Sequence, residues 1–293
     1  MDKEKNDKSN VPVSTKTTFT SSIVDFTTKF SKEIKELISH IDRVHQQFRA
    51  AKEVRQIAME QEDTITIHLD WSENFKLKQA RREKDSLLIK AIFLVASYYY
   101  EHHISILSGY VWKKNDCFSF GSISDDTNHM FEATWAALQP LLDLFKNDVN
   151  TKITNLIFIS DSPVSQYRNK TAFYCLKKYA TDHHMTMKWI YLAAGHGKGV
   201  ADGVSAAIKK KMDDAVTFHP DEGFNNVLDL FNVIKDKTNI KHSTYKTEDI
   251  DFVAKIIPTL TAVKGTATLH QVTVKIDGEL YGKDTSFSRE RLL

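Results

Sequence analysis

Three aspartates stand where predicted elements of the chain end or begin, and their side chains are the best candidates for chemistry. Asp70 ends the alternating run TITIHLD, Asp161 ends the apolar run NLIFISD, and Asp202 opens the helical run VADGVSAAIKKKM. Three carboxylates that meet at one sheet edge repel one another, and a pair of Mg²⁺ or Mn²⁺ ions would relieve that repulsion. Two such ions can catalyse attack on a phosphodiester. Aspartate is also a common helix cap and turn residue, so each of the three, taken alone, also fits a structural role.

The loop GHGKGVADG, residues 195–203, leads into Asp202 and adds further candidates for phosphate contact. Lys198 would act as a point charge, and His196 would position or protonate a leaving group. The glycines allow close approach of the backbone. A nucleotide-binding loop is the weaker interpretation, because Val200 stands where a third glycine would be and GKG lacks the hydroxyl of a Walker A motif.

Polar residues also follow the first two aspartates. Glu73 and Asn74 come shortly after Asp70, where they would orient its carboxylate or form a strand-end turn. The residues after Asp161 begin a predicted helix, whose backbone N–H groups favour anions. Four side chains at this helix start would hold a phosphate or face water: Gln166, Arg168, Asn169 and Lys170.

The elements that position these residues alternate between strands and helices, which predicts an α/β fold with helices on a mixed sheet. A helix is predicted over residues 79–103, and a strand pair with a turn at Asp277-Gly278 near the end. The boundaries expected are a disordered tail at 1–20, a helical lead-in at 21–62, a catalytic domain at 63–216 and a C-terminal helical and β-hairpin extension at 217–293.

The helical lead-in shows apolar residues at three- and four-residue steps, and this pattern has two interpretations. Packing on the following domain is the preferred interpretation, and a partner-binding or dimerising helix is the alternative. The residues concerned are Phe26, Phe30, Ile34, Leu37, Ile38 and Ile41.

Composition narrows the classes of protein. The formal net charge of +2 is close to neutral, so any surface that binds nucleic acid must be local. Two distant cysteines support neither a disulfide framework nor a zinc ribbon. The polar start has no apolar leader, and the most apolar run contains Lys90 and is too short for a bilayer. These features predict a soluble intracellular protein without a membrane partner.

Several strings together resemble one known group of proteins. They are HLDWSENFKLKQ, ISDDTNH, FISDSPVSQYRNK, GHGKGVADGVSAAIKK and VKGTATLHQV, and they extend from about residue 60 to 275. With the order of elements, they resemble the ribonuclease H-like fold and, within it, transposon-derived proteins with the catalytic domain of a DDE/DDD cut-and-paste DNA transposase.

The resemblance implies two-metal cleavage of DNA and joining of strands, with DNA as the partner and the nucleus as the location. Carried over by position, Asp70, Asp161 and Asp202 are the catalytic acids and the ligands of two Mg²⁺ or Mn²⁺ ions. Glu222 is the alternative third acid, because other families of the fold use a glutamate. A cytoplasmic location and a homo-oligomeric state stay open.

Two other functions remain beside the transposase. One is a catalytically inactive, host-adopted derivative that binds DNA or another protein. The other is a nuclease of the same fold that cleaves strands without joining them. Neither a zinc module nor a helix-turn-helix for recognising element ends is recognisable in the sequence.

Overall fold

The computed structural model describes residues 20–77, 102–147, 152–193, 199–219, 224 and 226–293. By its internal contacts the chain divides into two units, residues 1–41 and 42–293. Four predicted features lie outside the described residues: residues 1–19 of the predicted disordered tail, residues 79–101 of the predicted helix, the loop residues His196 and Lys198, and the alternative acid Glu222.

The described chain alternates strands and helices as predicted. The helices are α1 (Ile23–Glu60), α2 (Phe131–Lys146), α3 (Lys170–His183), α4 (Val200–Phe218), α5 (Val227–Ile234) and α6 (Thr247–Ile256). The strands are β1 (Thr64–Trp71), β2 (Phe75–Lys76), β3 (His103–Trp112), β4 (Phe118–Ser124), β5 (Asn155–Ser160), β6 (Thr186–Tyr191), β7 (Lys241–Thr244), β8 (Gln271–Val274), β9 (Leu280–Lys283) and β10 (Arg291–Leu292).

These strands form one mixed sheet in the order β10-β9-β8-β6-β5-β1-β3-β4-β7, and β2 pairs with β3. At the centre, β1 is antiparallel to β3 and parallel to β5. β3 and β4 are antiparallel, whereas β5 and β6 are parallel. The predicted α/β architecture, a mixed sheet flanked by helices with a helix at the N-terminal side, is therefore confirmed.

The central strand β5 is covered on both faces, as its continuous apolar sequence indicates. Phe158 packs into the main core with α2 and α3, while Ile157 and Ile159 pack against small residues of α1 on the other face. Because successive side chains of a strand point to opposite faces, an uninterrupted apolar run serves both layers. This double burial anchors the strand that carries Asp161 beyond its end.

Helix α4 packs very close to the sheet, and a glycine makes this approach feasible. A Cβ atom added at Gly121 of β4 would lie 2.3 Å from Cδ1 of Ile208 in α4. Ile208 is fully buried with Ile104, Ile106 and Ile123 of the neighbouring strands. The helix that carries Asp202 is therefore held tightly on the β3–β4 side of the sheet.

The C-terminal part joins the same sheet. β8 pairs with β6 and β9 pairs with β8, both antiparallel. The predicted turn at Asp277-Gly278 is confirmed, and Gly278 adopts φ 81°, which favours glycine. No described helix is long and apolar enough to cross a membrane.

The lead-in is helical as predicted, but its two halves differ in burial. Small and apolar residues from Val44 onward pack on the sheet, including Ala50, Ala51 and Val54. The six periodic residues of the first half are exposed: Phe26, Phe30, Ile34, Leu37, Ile38 and Ile41.

Candidate active site

The register of two central strands aligns the first two aspartates. β1 and β5 are parallel, and their ladder pairs His68 with Ile159. Asp70 and Asp161 each lie two residues further along, so they occupy equivalent positions on the same side of the sheet. The sequence predicted both at strand ends, and the ladder shows that these ends are neighbours.

The third aspartate approaches from the helix layer. Asp70 is the register partner of Ser108 on β3, and the Ser108 hydroxyl donates a hydrogen bond to the Ala201 carbonyl at 3.1 Å. Ala201 precedes Asp202, so this bond fixes the start of α4 beside β1. A cleft of about 390 Å³ lies here, and its walls include Asp70, Glu73, Ser108, Asp202, Ser205 and Lys209.

The aspartates influence one another electrostatically. Burial raises the pKa of Asp70 to about 7, with further contributions from the charges of Asp161 and Asp202. Burial likewise raises the pKa of Asp161 to about 6, together with the charge of Asp202, while Arg168 acts in the opposite direction. Carboxyl groups with such values lose their protons between about pH 6 and 7 and not near pH 4, because the surroundings disfavour their charged forms.

The hydrogen bonds of Asp161 and Asp202 differ in kind. Oδ1 of Asp161 is buried and has no hydrogen-bond partner among the described residues. Oδ2 of Asp202 accepts the Gly199 N–H at 2.7 Å, so this carboxylate also stabilises the first turn of α4. Asp202 thus has the structural role that was the alternative interpretation, and it lines the cleft as well.

The donor atoms of the three aspartates and the spacing between them decide how well they match a metal ion. The described part of the chain contains no group of three or more His, Cys, Asp or Glu side chains placed to hold a metal ion. The donor type nevertheless fits Mg²⁺ or Mn²⁺, which prefer carboxylate oxygens. Oδ1 of Asp161 is one such oxygen, and it has no hydrogen-bond partner among the described residues. The acids are thus close enough to repel one another without forming a coordination set.

Glu73 and Asn74 lie in the short connection between β1 and β2, directly after the end of the strand that carries Asp70. Glu73 is exposed and lines the cleft, and its backbone carbonyl accepts a hydrogen bond from Nζ of Lys209 at 2.7 Å. Oδ1 of Asn74 is buried without a partner among the described residues. Lys209 follows Asp202 by two helical turns, so one face of α4 presents both to the cleft.

The residues after Asp161 mostly have partners within the fold. Arg168 is buried, and its guanidinium donates to the Leu269 carbonyl at 2.9 Å. Asn169 caps α3, because its side chain accepts the Ala172 N–H at 3.0 Å. The Lys170 ammonium donates to the Leu260 carbonyl at 2.9 Å, and Gln166 is half-buried.

Two residues beside the acids escaped the sequence analysis. Tyr167 is fully buried, and burial followed by the charges of Asp70 and Asp161 raises its pKa well above the usual range. Trp71 follows Asp70, stacks on His129 at 4.4 Å between ring centroids, and donates to the Thr134 hydroxyl. Tyr167 lies within the string SPVSQYRNK, in which only the polar residues around it were predicted to belong to the site. A buried aromatic ring next to acids is a long-range relationship that local sequence does not reveal.

The fold and the site define an α/β protein with an acidic cleft between its central strands and a helix. The chain belongs to the family described as a domain of unknown function, DUF8701, whose profile matches residues 58–286. Comparisons with curated proteins and with solved structures found no match.

Proposed function

We propose that this protein is a transposase-like, metal-dependent enzyme that cleaves DNA phosphodiesters and, in the fuller form of the hypothesis, joins DNA strands. The observation that carries the proposal is the mutual repulsion of Asp70, Asp161 and Asp202, of which Asp70 and Asp202 line the cleft. Acids that repel one another lower the stability of the folded state. Binding of a polyvalent cation would compensate this repulsion, and for that reason such clusters are common at functional sites. The resemblance to transposon-derived proteins implies a nuclear location.

The arrangement of the central strands supports a ribonuclease H-like sheet. Its five central strands lie in the order β4-β3-β1-β5-β6; β3 is antiparallel to both of its neighbours, and β1, β5 and β6 are parallel. The resemblance implies one acid on the first of these strands along the chain, one after the fourth and one on the helix after the fifth. Asp70 on β1, Asp161 after β5 and Asp202 on α4 match this pattern.

Asp70, Asp161 and Asp202 would hold two Mg²⁺ or Mn²⁺ ions. When bound, a pair of such ions activates a water or hydroxyl and stabilises the leaving oxygen of a phosphodiester. The chain itself supplies three features. The β1–β5 ladder aligns two acids, the Ser108–Ala201 hydrogen bond fixes the start of the helix that carries the third, and the buried ring of Tyr167 lies close to Asp70 and Asp161.

A cation on the cleft wall supports a phosphate-containing substrate. The ammonium of Lys209 lines the same cleft as Asp70 and Asp202. A strand of DNA that passes the acids would exchange the Glu73 carbonyl for a phosphate oxygen at this ammonium, which is the stronger, charge-assisted contact. His196 and Lys198 stay candidate contacts from the loop that precedes α4.

One observation favours a second function, a catalytically inactive derivative that binds DNA or protein. The described residues contain no ready metal-binding group, and Asp202 is engaged as a helix cap. A protein that had lost catalysis could retain the aspartates for folding alone. This alternative predicts binding without cleavage.

Nicking of supercoiled plasmid separates the two functions. The full chain should nick DNA with Mn²⁺ or Mg²⁺ and not with EDTA, and Asp161→Asn should abolish nicking. Asp182→Asn is the matched control, because Asp182 is an exposed aspartate paired with Lys178 far along α3. Absence of metal-dependent nicking in the wild type, with DNA binding retained, would favour the inactive derivative. Labelled 3′-OH ends added to the assay would distinguish strand joining from cleavage alone.

A further inference from the structure

The first half of α1 exposes a continuous set of large apolar side chains. Their exposed fractions lie between 37% and 81%. The rings of Phe26 and Phe30 stack on each other at 5.7 Å between centroids, so they form one surface. We call this set the α1 stripe, and its members are Ile23, Val24, Phe26, Phe30, Ile34, Leu37, Ile38 and Ile41.

The spacing within the α1 stripe is that of a helix–helix seam. Ile23, Phe30 and Leu37 follow one another at steps of seven, and Ile34 and Ile41 come four residues after Phe30 and Leu37. Alternating steps of three and four place apolar residues at the a and d positions of a heptad, which pack against a partner helix. A helix that only bordered on solvent would not need this repeat.

The opposite face of the same segment is polar, and the N-terminus of the helix is capped. The Ser22 hydroxyl accepts the Asp25 N–H at 3.0 Å, which caps the first turn. Lys32 and Glu36 form an ion pair of 3.8 Å on the face away from the α1 stripe. The segment is therefore an amphipathic helix with one face to be covered.

The size of the residues separates this seam from the half of α1 that packs on the sheet. There the contacts come from Ala50, Ala51 and Val54 against β5 and β6, since small side chains let a helix approach a sheet closely. Phe and Ile dominate the α1 stripe instead. Bulky a and d residues fill the wider gap between two helices.

The geometry points to a second copy of this chain as the occupant, so we infer that the protein is a homodimer held by two α1 stripes. The two Phe side chains have areas of roughly 150–250 Å² each and the six aliphatic ones are smaller, so the exposed fractions amount to several hundred Å² of apolar surface, a patch of the size that marks a protein interface and comparable with one partner's share of it. A symmetric pair covers both stripes at once, because the same patch meets itself. This inference does not depend on the proposed enzymatic function.

Sedimentation of the full chain across a range of protein concentrations tests the inference. The variant Phe30→Glu with Leu37→Glu places four charges in the seam of a dimer. The control, Thr28→Glu with Ser39→Glu, adds the same charge on the polar face of the same segment. The wild type and the control should sediment as dimers at micromolar concentrations, and the seam variant as a monomer with unchanged circular dichroism and melting temperature.

Each contrary outcome overturns the inference. A monomeric wild type whose seam variant melts at a lower temperature would show that the α1 stripe is covered by another segment of the same chain. A monomeric wild type with an unaffected seam variant would leave a different protein as the occupant. A seam variant that stays dimeric would place the dimer interface elsewhere. The milder pair Phe30→Ala and Leu37→Ala should raise the dimer dissociation constant at least tenfold, and an unchanged constant would count equally against the seam.

Discussion

Asp70 stands level with Asp161 across the parallel β1–β5 ladder, because His68 and Ile159 pair two residues earlier. Two buried carboxyl groups on adjacent strands disfavour each other's ionisation, and Asp202 adds a third charge from α4. This arrangement costs stability near neutral pH. The cost has direct experimental consequences.

The first prediction concerns pH. The pKa of Asp70 in the folded protein is about 7, above its ordinary value of 3.8. A raised value means that the folded state holds the proton more tightly, so this contribution to stability is full below pH 4 and is lost as pH rises to about 7. In EDTA, Asp70→Asn should remove the part of the slope that Asp70 causes and stabilise the protein at pH 8 by a few kcal/mol, because solvent screens part of the effect at this partly exposed group. Urea unfolding at pH 4, 6 and 8 measures it. Parallel curves for both proteins would contradict the raised pKa.

The second prediction concerns Asp161. Removal of its carboxylate by Asp161→Ala should leave the fold intact and raise the melting temperature in EDTA, since like-charge repulsion with its neighbours disappears. Mn²⁺ should then stabilise the variant less than the wild type. Differential scanning calorimetry with and without Mn²⁺ gives both values. A marked loss of stability in EDTA would mean that Asp161 is mainly a structural residue.

The third prediction concerns Ser108. Ser108→Ala removes the hydroxyl that donates to the Ala201 carbonyl; because that carbonyl also accepts within the first turn of α4, the cost should be that of one ordinary hydrogen bond, about 1 kcal/mol. Because the same bond fixes the start of α4, the variant should also lose nicking activity more than its stability loss explains. The control is Ser119→Ala, a half-buried serine on the neighbouring strand β4. Equal activity in the two variants at a temperature where both are folded would separate Ser108 from the site.

The fourth prediction concerns Lys209. Lys209→Ala should weaken DNA binding across sequences and lower the salt slope of the binding constant by about one, as the loss of one phosphate contact requires. Lys178→Ala is the control, because Lys178 is exposed and paired with Asp182 on α3. Binding of labelled duplex at several salt concentrations measures the slope. An unchanged slope would mean that Lys209 does not contact a DNA phosphate and that its role is limited to the hydrogen bond with the Glu73 carbonyl.

The fifth prediction distinguishes a cap from a phosphate contact at Asn169. Asn169→Ala should cost about 1 kcal/mol of stability, because the side chain caps α3. Asn169→Asp should keep the acceptor for the Ala172 N–H but lose the two hydrogen bonds that Nδ2 of Asn169 donates to the Val164 and Ser165 carbonyls, so it should retain only part of the stability. If Asn169 instead held DNA, the Asp variant would bind DNA worse than the Ala variant.

The sequence predicted the local elements of the site well. Alternation around Ile65 and Ile67, the apolar run before Asp161 and the helical run after Asp202 identified the elements that carry the three aspartates. These signals depend on side-chain periodicity, which is a local property. The α/β class followed from the same alternation of elements.

Long-range relationships could not be predicted in the same way. The register that aligns Asp70 with Asp161, the bond from Ser108 to α4 and the burial of Arg168 all join residues far apart in the chain. Arg168 looked like a phosphate ligand because its neighbours are polar, yet its partner is the carbonyl of Leu269, about a hundred residues away. In the first half of α1, the sequence predicted the apolar face correctly. Apolar periodicity does not identify the partner that covers such a face, because the partner is not part of the local sequence.

Binding of Mn²⁺ to the full chain, followed by electron paramagnetic resonance, tests the central claim most directly. If Asp70, Asp161 and Asp202 form one cation site, the wild type and Asp182→Asn should bind Mn²⁺ alike. Each of Asp70→Asn, Asp161→Asn and Asp202→Asn should then weaken binding at least tenfold. Mn²⁺ binding that none of the three substitutions changes, or no binding by the folded wild type, would contradict the account.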